Sequence, residues 1–387
     1  MNEKTREFIY RHANEDVFDL KLKYGRVDEL DIELAVRQIS GRQKMKNKVP
    51  LFFETEGILY PAQLSVEQSS SQATALYKKS LCEGKSLVDL TGGFGIDCYF
   101  MSERFEKTTY VERNPGLCEL ALHNFSVLDK AHIHVACSNA ESYLSGMDNA
   151  DWIYMDPARR NPNGKKLVLL SDCEPDVPSL YNLLHQKASH VMMKLSPMLD
   201  IASALRELPL TTAVHIISVE NECKEILLVS NAENSLSLEV NAINLTKNGM
   251  QKFGFTPSEE AGATVACTAE IKKYLYEPNA SILKSGAFKI TAHRFGLDKL
   301  HINTHLYTSS ELVPDFPGRV FEVLGIWDSV KDKPERVKQA NLSTRNYPLS
   351  TNELRNKLRL KDGGNIYLFA CTLANEKKVI IECGKLS

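Results

Sequence analysis

Apolar residues recur near the helical period through the first part of the chain: Phe8, Ile9 and His12, then Val17, Leu20 and Leu22, with charge between them. The spacing predicts a mainly helical region over residues 1–80. Within it, LFFETEG from Leu51 reads as a short strand, and Ser65 with Gln68 reads as a capping box that opens a helix. From Lys85 the rhythm changes to short β-branched runs alternating with amphipathic stretches of ten or more residues, the pattern of an α/β domain with a parallel sheet. The predicted strands cover 86–90, 107–112, 132–137, 151–156, 190–195, 213–219 and 225–230. Only a short charged link containing NECK stands between the last two, so five parallel strands are expected to be closed by an antiparallel hairpin. From about Asn231 to Ala269 the pattern weakens into polar, strand-like pieces, a connector or a further hairpin. A separate unit is expected from Ile271, ending in NIYLFACTLANEKKVIIEC, whose two apolar runs flank LANEKK as a strand pair.

At about 150 residues per domain, 387 residues hold two or three domains. The 43% hydrophobic and 25% charged fractions exclude disorder over the whole chain. Forty-seven basic against 49 acidic residues leave a net charge of -2, so no global basic field exists to hold nucleic acid. A local one does: Lys331 to Lys361 carries nine Lys or Arg against three acids, beside Trp327 and Tyr347. That stretch fits a phosphate-tracking face and equally an exposed amphipathic helix. Arg37 to Lys48, with five basic residues and no acid, reads as a solvated face or a phosphate contact. The amino terminus has no secretory pattern and no apolar run is long enough to span a membrane, so a cytoplasmic protein is expected. Nine cysteines are scattered singly without a CxxC pair, which indicates neither a disulfide framework nor a zinc site, and no metal is expected.

The most informative segment is SLVDLTGGFGID, residues 86–97: an apolar strand ending in Asp89, a turn with Gly92, Gly93 and Gly95, then an apolar helix. Glycines there let backbone approach a ligand at a helix N-terminus, as in a nucleotide site, or supply only a turn. The next strand ends in Glu112, where a carboxylate can accept from ribose hydroxyls or lie on the surface. After the third strand, Asn139 stands where an amide can meet an adenine edge. The fourth strand runs into Asp156-Pro157-Ala158-Arg159-Arg160. A dehydrogenase has no need of that rigid corner. A carboxylate and a freed carbonyl together can accept N–H bonds from an exocyclic amine and point its lone pair at a sulfonium methyl. Lys194 ends the fifth strand, facing the pocket or pairing on the surface with Asp200 or Glu222; the link from Glu220 to Glu225 borders the pocket without an assigned role.

Taken in order on successive strands, Asp89 to Gly95, Glu112, Asn139 and the Asp156-Pro157 corner resemble a class I S-adenosylmethionine-dependent methyltransferase over residues 65–230. VDLTGGFGID with DPARR, VMMKLSPMLD, and a C-terminal unit running from YLYEPNASILKSG through RNYPLS to YLFACTLA are similar to bacterial methyltransferases with a THUMP-like C-terminal domain. The resemblance implies an α/β chain: a Rossmann-like, seven-stranded class I core at 81–235 after the helical region at 1–80, a connector at 236–270, and an α+β THUMP-like domain at 271–387. It implies S-adenosyl-L-methionine as cofactor, with Thr91, Gly92, Gly93, Phe94 and Gly95 around its methionine half, Glu112 on the ribose, Asn139 and Ala140 at the adenine, and Asp89 and Asp97 beside them. Asp156, Pro157 and Arg159 would be catalytic, and RNA the partner, methylated on an exocyclic amine of a base, guanine N2-like. Arg159 departs from the aromatic that usually follows such a corner, and Thr91 replaces the usual first glycine. A protein amide as acceptor, a noncatalytic RNA-binding module and a nicotinamide dehydrogenase remain the alternatives.

Overall fold

The computed structural model describes residues 2–25, 27, 29–159, 170–231 and 237–386. The chain divides into two compact units, residues 1–213 with 225–236 and residues 214–224 with 237–387. Among the described residues no helix is long and apolar enough to cross a membrane.

The first unit opens with helices α1 (Glu3–Arg11), α2 (Val17–Tyr24), α3 (Ile32–Lys48), α4 (Pro50–Glu54), α5 (Gln63–Gln68) and α6 (Gln72–Leu81). LFFETEG is therefore helical at its start. Pro50 presets the first turn, and Phe52 packs edge-on against Phe94 and Tyr99, with ring centroids at 5.6 and 5.7 Å. The expected Ser65–Gln68 capping box is absent, because α5 has already begun at Gln63 and Ser65 lies inside it. The capping serine is Ser71, which accepts from the Thr74 amide at 3.2 Å and starts α6. Three of the five basic residues of α3 are spent on contacts within the protein, while Arg37 and Lys46 are exposed. Lys44 pairs with Glu67 at 2.5 Å, Lys48 donates to the Val66 carbonyl at 2.8 Å, and Arg42 lies 4.1 Å over the Phe53 ring.

The core strands are β1 (Gly84–Asp89), β2 (Phe105–Glu112), β3 (His134–Cys137), β4 (Ala150–Met155), β5 (Ala188–Leu195), β6 (Thr211–Val219) and β7 (Glu222–Asn231). Helices α7 (Ile96–Ser102), α8 (Pro115–Val127), α9 (Ala140–Gly146), α10 (Val177–Lys187) and α11 (Ile201–Glu207) fill the connections. Their lateral order is β3–β2–β1–β4–β5–β7–β6. β6 joins this unit through Thr211–Ala213, where the Thr212 hydroxyl donates to the Val229 carbonyl at 3.3 Å. Strands β1 to β5 run parallel and β7 antiparallel to β5. This is the expected seven-stranded, Rossmann-like core. The strand order reverses between β1 and β4, so their carboxyl ends border the crevice in which such sheets bind ligands.

In the second unit, Val214–Val219 of β6 continues into β8 (Glu239–Thr246) and β9 (Gly249–Phe255). The stretch expected as a connector thus holds an antiparallel hairpin, which buries Val240, Ala242, Ile243, Phe253 and Phe255. The rest is a sheet of β10 (Tyr274–Pro278), β11 (Asp298–Lys299), β12 (Tyr307–Ser309), β13 (Gly318–Trp327), β14 (Asn341–Arg345), β15 (Ile366–Thr372) and β16 (Lys378–Lys385). Its order is β11–β12–β10–β13–β16–β15–β14, and only β14 and β15 pair in parallel. β15 and β16 are the strand pair expected around LANEKK. Leu275, Phe321, Phe369 and Ile381 form one core cluster, and Leu342, Leu354, Leu368 and Ile380 another, with helix α12 (Thr351–Leu358) contributing Leu354. The basic stretch 331–361 is partly consumed here: Arg336 pairs with buried Glu382 and Arg355 with Asp362, both at 2.6 Å.

Asn124, buried on α8, pins the chain before α5: its side chain accepts from the Leu59 amide and donates to the Leu59 carbonyl, both at 2.9 Å. Asn124→Ala strands both backbone groups, so urea unfolding should show a loss of about 2 kcal/mol. An unchanged midpoint would mean that water replaces the amide.

Candidate functional site

The carboxyl ends of β1, β2 and β4 meet around the glycine turn. Asp89 is buried and its carboxyl accepts from the Thr91 amide at 3.0 Å. Burial, reinforced by the carboxylates of Asp97, Asp156 and Glu112, pushes its pKa well above the usual range despite that bond. Gly92 must be glycine because a Cβ there would stand 2.1 Å from the Tyr110 ring. The Tyr110 hydroxyl in turn donates to the Gly93 carbonyl at 2.6 Å and sets the turn from below. Gly93 has φ 54°, and a Cβ there would meet only the Thr91 carbonyl at 3.7 Å, so the space over this residue is open. Phe94 is buried in the core with Phe52 and Tyr99, and the Gly95 amide closes the turn on the Gly92 carbonyl at 2.8 Å. Glu112 fixes the turn from the side: one carboxylate oxygen accepts from the Gly93 amide at 3.0 Å, the other from the Asn114 amide at 2.8 Å.

Asn139 is the exposed cap of α9, its side-chain oxygen accepting from the Ser142 amide at 2.7 Å, and Ala140 behind it is buried. On β4 the corner is tied to the glycine turn by one bond, from the Asp156 amide to the Thr91 hydroxyl at 2.6 Å. Thr91 thus does something that glycine, the residue usual at its position, cannot do. Lys194 faces neither Asp200 nor Glu222; its ammonium is 2.5 Å from Asp156 Oδ2. Burial works against that charge, but Asp156, then Asp97 and Glu225, outweigh it and hold the lysine above its usual range. Pro157 is buried. The backbone of Arg159 pairs with Cys173, while the Arg159 side chain and Arg160 lie outside the described residues.

Beneath the turn lies a buried charge network that sequence reasoning missed. Lys78 on α6 is fully buried and donates to the Ser70 hydroxyl at 2.9 Å and to Glu225 at 2.8 Å, with Asp97 Oδ1 at 3.1 Å. The other Asp97 oxygen accepts from Ser70 at 2.7 Å and from the Tyr154 hydroxyl at 2.8 Å. Burial works to raise Asp97, but Lys78, Lys194 and these hydroxyls outweigh it and hold the carboxyl below its usual range. Asp97, expected beside the cofactor, is therefore spent on this network. Lys78 reads in LYKKSL as one more surface charge, and no signal links it to Glu225, 147 residues away.

A crystal structure of a Porphyromonas gingivalis W83 protein assigned as a methyltransferase matches the whole of both chains, with 33% identity and a TM-score of 0.89. The chain belongs to its family, the class I methyltransferases with a THUMP-like C-terminal domain. A ferredoxin-like domain model matches residues 274–317 and a THUMP domain-like model residues 318–385. TrmK of M. capricolum, solved with S-adenosyl-homocysteine, is 12% identical over 42% of this chain and 68% of its own, at TM-score 0.33. An rRNA methylase of Streptococcus thermophilus is 10% identical over 41% and 94%, at 0.32. No curated protein matches the sequence.

In this member of the family, Lys78→Met leaves two buried carboxylates with Lys194 as their remaining cation and should cost about 3–5 kcal/mol at neutral pH. Because the folded pKa of Asp97 lies below its unfolded value, its contribution to the parent protein is present above about pH 4 and lost as the pH falls through the lower folded value. In the variant the protonated acids need no counter-ion, so the deficit in denaturant melts should shrink toward acid pH. A deficit independent of pH would assign the loss to packing alone.

Proposed function

We propose that the chain transfers a methyl group from S-adenosyl-L-methionine to an exocyclic amine of an RNA base, of the guanine N2 kind. The observation that carries this reading is the hydroxyl of Thr91, which joins the open glycine turn directly to the Asp156-Pro157 corner.

The residues present fit the cofactor. Gly93 leaves room over the turn, Glu112 keeps lone pairs for ribose hydroxyls beyond its two backbone bonds, and Asn139 and Ala140 stand at the next strand end for the adenine. Bound there, it supplies a methyl already activated on a sulfonium. The chain's part is then to orient the acceptor. Lys194 holds one carboxylate oxygen of Asp156, and the side chain, 37% exposed, still reaches solvent. An acceptor N–H can donate to the second oxygen and another to the Pro157 carbonyl, which fixes the amine plane and aims its lone pair along the line of transfer. The fixed ammonium of Lys194 disfavours a protonated amine at this position, so a neutral planar amine suits the site better than an aliphatic one. Arg159, on the backbone ribbon next to the corner, is assigned to stacking on the base or pairing with a phosphate. The THUMP-like domain supports RNA as the partner.

The test is transfer of tritiated methyl to total RNA and to total protein from cells lacking this gene. Label in RNA that digests to a base-methylated nucleoside is the expected result. Ribose methylation would remove the amine assignment, label in protein would favour the amide alternative, and no label in either would leave a noncatalytic module. Asp156→Ala should lower transfer at least about 100-fold while S-adenosyl-homocysteine still binds within about threefold, as read by calorimetry. Loss of that binding would move Asp156 from the acceptor to the cofactor.

A further inference from the structure

The second unit carries positive charge without matching counter-charge. Glu277 on β10 is buried, and its carboxylate is shared by two guanidinium groups: Arg319 Nε donates to Oε2 at 2.8 Å and Arg345 Nη2 to Oε1 at 2.9 Å. One carboxylate between two arginines leaves a surplus of one. Lys299 adds a second. It is 2% exposed, and the hydrogen bond it makes goes to the Ile302 carbonyl at 2.6 Å; among the described residues no carboxylate lies within ion-pair distance of it. Burial holds the lysine below its usual range against the Cys267 thiol and, after it, Glu260, whose carboxylate is spent on the amides of Lys289 and Ile290 at 2.8 to 3.1 Å. A buried ammonium without a counter-ion is costly, and a fold that keeps one has a use for it.

His305 lies beside Lys299 on the Phe288 ring, and the Arg345 end of β14 meets the same segment, where the next residue, Asn346, donates to His301 Nδ1 at 3.1 Å. The His305 ring stacks on Phe288 with centroids 3.6 Å apart, and the Lys299 ammonium lies 5.3 Å from the centre of the same Phe288 ring. Burial, together with the charges of Lys299 and Arg345, holds the imidazole down to about 4, so it is neutral and keeps one N–H to donate. Its Nδ1 is buried without a hydrogen-bond partner, and so is Nε of Arg345. Two backbone positions here are left-handed without being glycine, His305 at φ 52° and Asn346, next to Arg345, at φ 51°. Such strain persists only where the surroundings enforce it, and it concentrates at binding sites.

We propose that Lys299, His305 and Arg345 form a binding site for a phosphate group in the C-terminal domain. The surplus of two positive charges matches a phosphate anion. Unused donors on Lys299, Arg345 and His305 outnumber what a carboxylate accepts and suit a tetrahedral anion. The side chains of Arg319 and Arg345 are each 36% exposed, so solvent reaches the arginine side of the site. The same chemistry serves free inorganic phosphate and a backbone phosphate of RNA.

The experiment is thermal melting of the full chain in sodium phosphate against sodium chloride of equal ionic strength at pH 7.5. Phosphate should raise the melting temperature of the parent protein in a saturable way, and Lys299→Met and Arg345→Gln should each abolish the rise. Without phosphate, Lys299→Met should melt no lower than the parent, because the variant loses an unpaired buried cation; this separates loss of the site from loss of the fold. A parent protein equally stable in both salts, or a rise that survives in both variants, overturns the proposal. Anisotropy of a labelled 12-nucleotide RNA identifies the source. Affinity at least tenfold weaker in Arg345→Gln and competed by inorganic phosphate supports the site as a backbone contact. RNA binding indifferent to both, with the thermal response intact, supports it as a site for free phosphate. None of these outcomes depends on methyl transfer.

Discussion

The ammonium of Lys78 is the point on which the first unit closes. It comes from a helix that precedes the sheet, yet it meets Asp97 on α7, Glu225 on β7 and the hydroxyl of Ser70, while Tyr154 of β4 reaches the same aspartate. Taking three such charges out of water is tolerable only when all the partners are in place, so these elements must assemble together. The helices before β1 are on this account part of the core's own architecture, although nothing in their amphipathic pattern says so.

Much of the fold was legible because buried strands leave a trace of short apolar, often β-branched runs between amphipathic stretches; three of these runs lead into an acid, Asp89, Glu112 and Asp156. The seven core strands, the antiparallel closure and the terminal pair around LANEKK can all be read from that trace. LFFETEG could not, because three apolar residues fit a strand or one helical turn equally; Pro50 and the contacts of Phe52 with Phe94 and Tyr99 decide it. The hairpin at 239–255 was faint because its buried positions are interrupted by Asn241 and Asn244, which are themselves buried.

At the site, spacing along the strands brought Asp89, Glu112 and the Asp156 corner to one end of the sheet. What spacing cannot encode is pairing between distant charges. Lys194 has acids nearby in sequence, yet its partner is Asp156 on the neighbouring strand, and Asp97 looks like a ligand residue until Lys78 is seen behind it. The two units also differ in their use of charge. In the first, each buried charge of the network meets an opposite one. In the second, two arginines divide a single glutamate and a lysine has none.

The bond between the Thr91 hydroxyl and the Asp156 amide makes the two sides of the crevice a single rigid part. On the proposed reading, the separation between methyl donor and acceptor is then set by the folded chain and not by either ligand. Neither ligand needs the other to shape its own place, so the kinetics of such a site should follow random rather than compulsory order of binding.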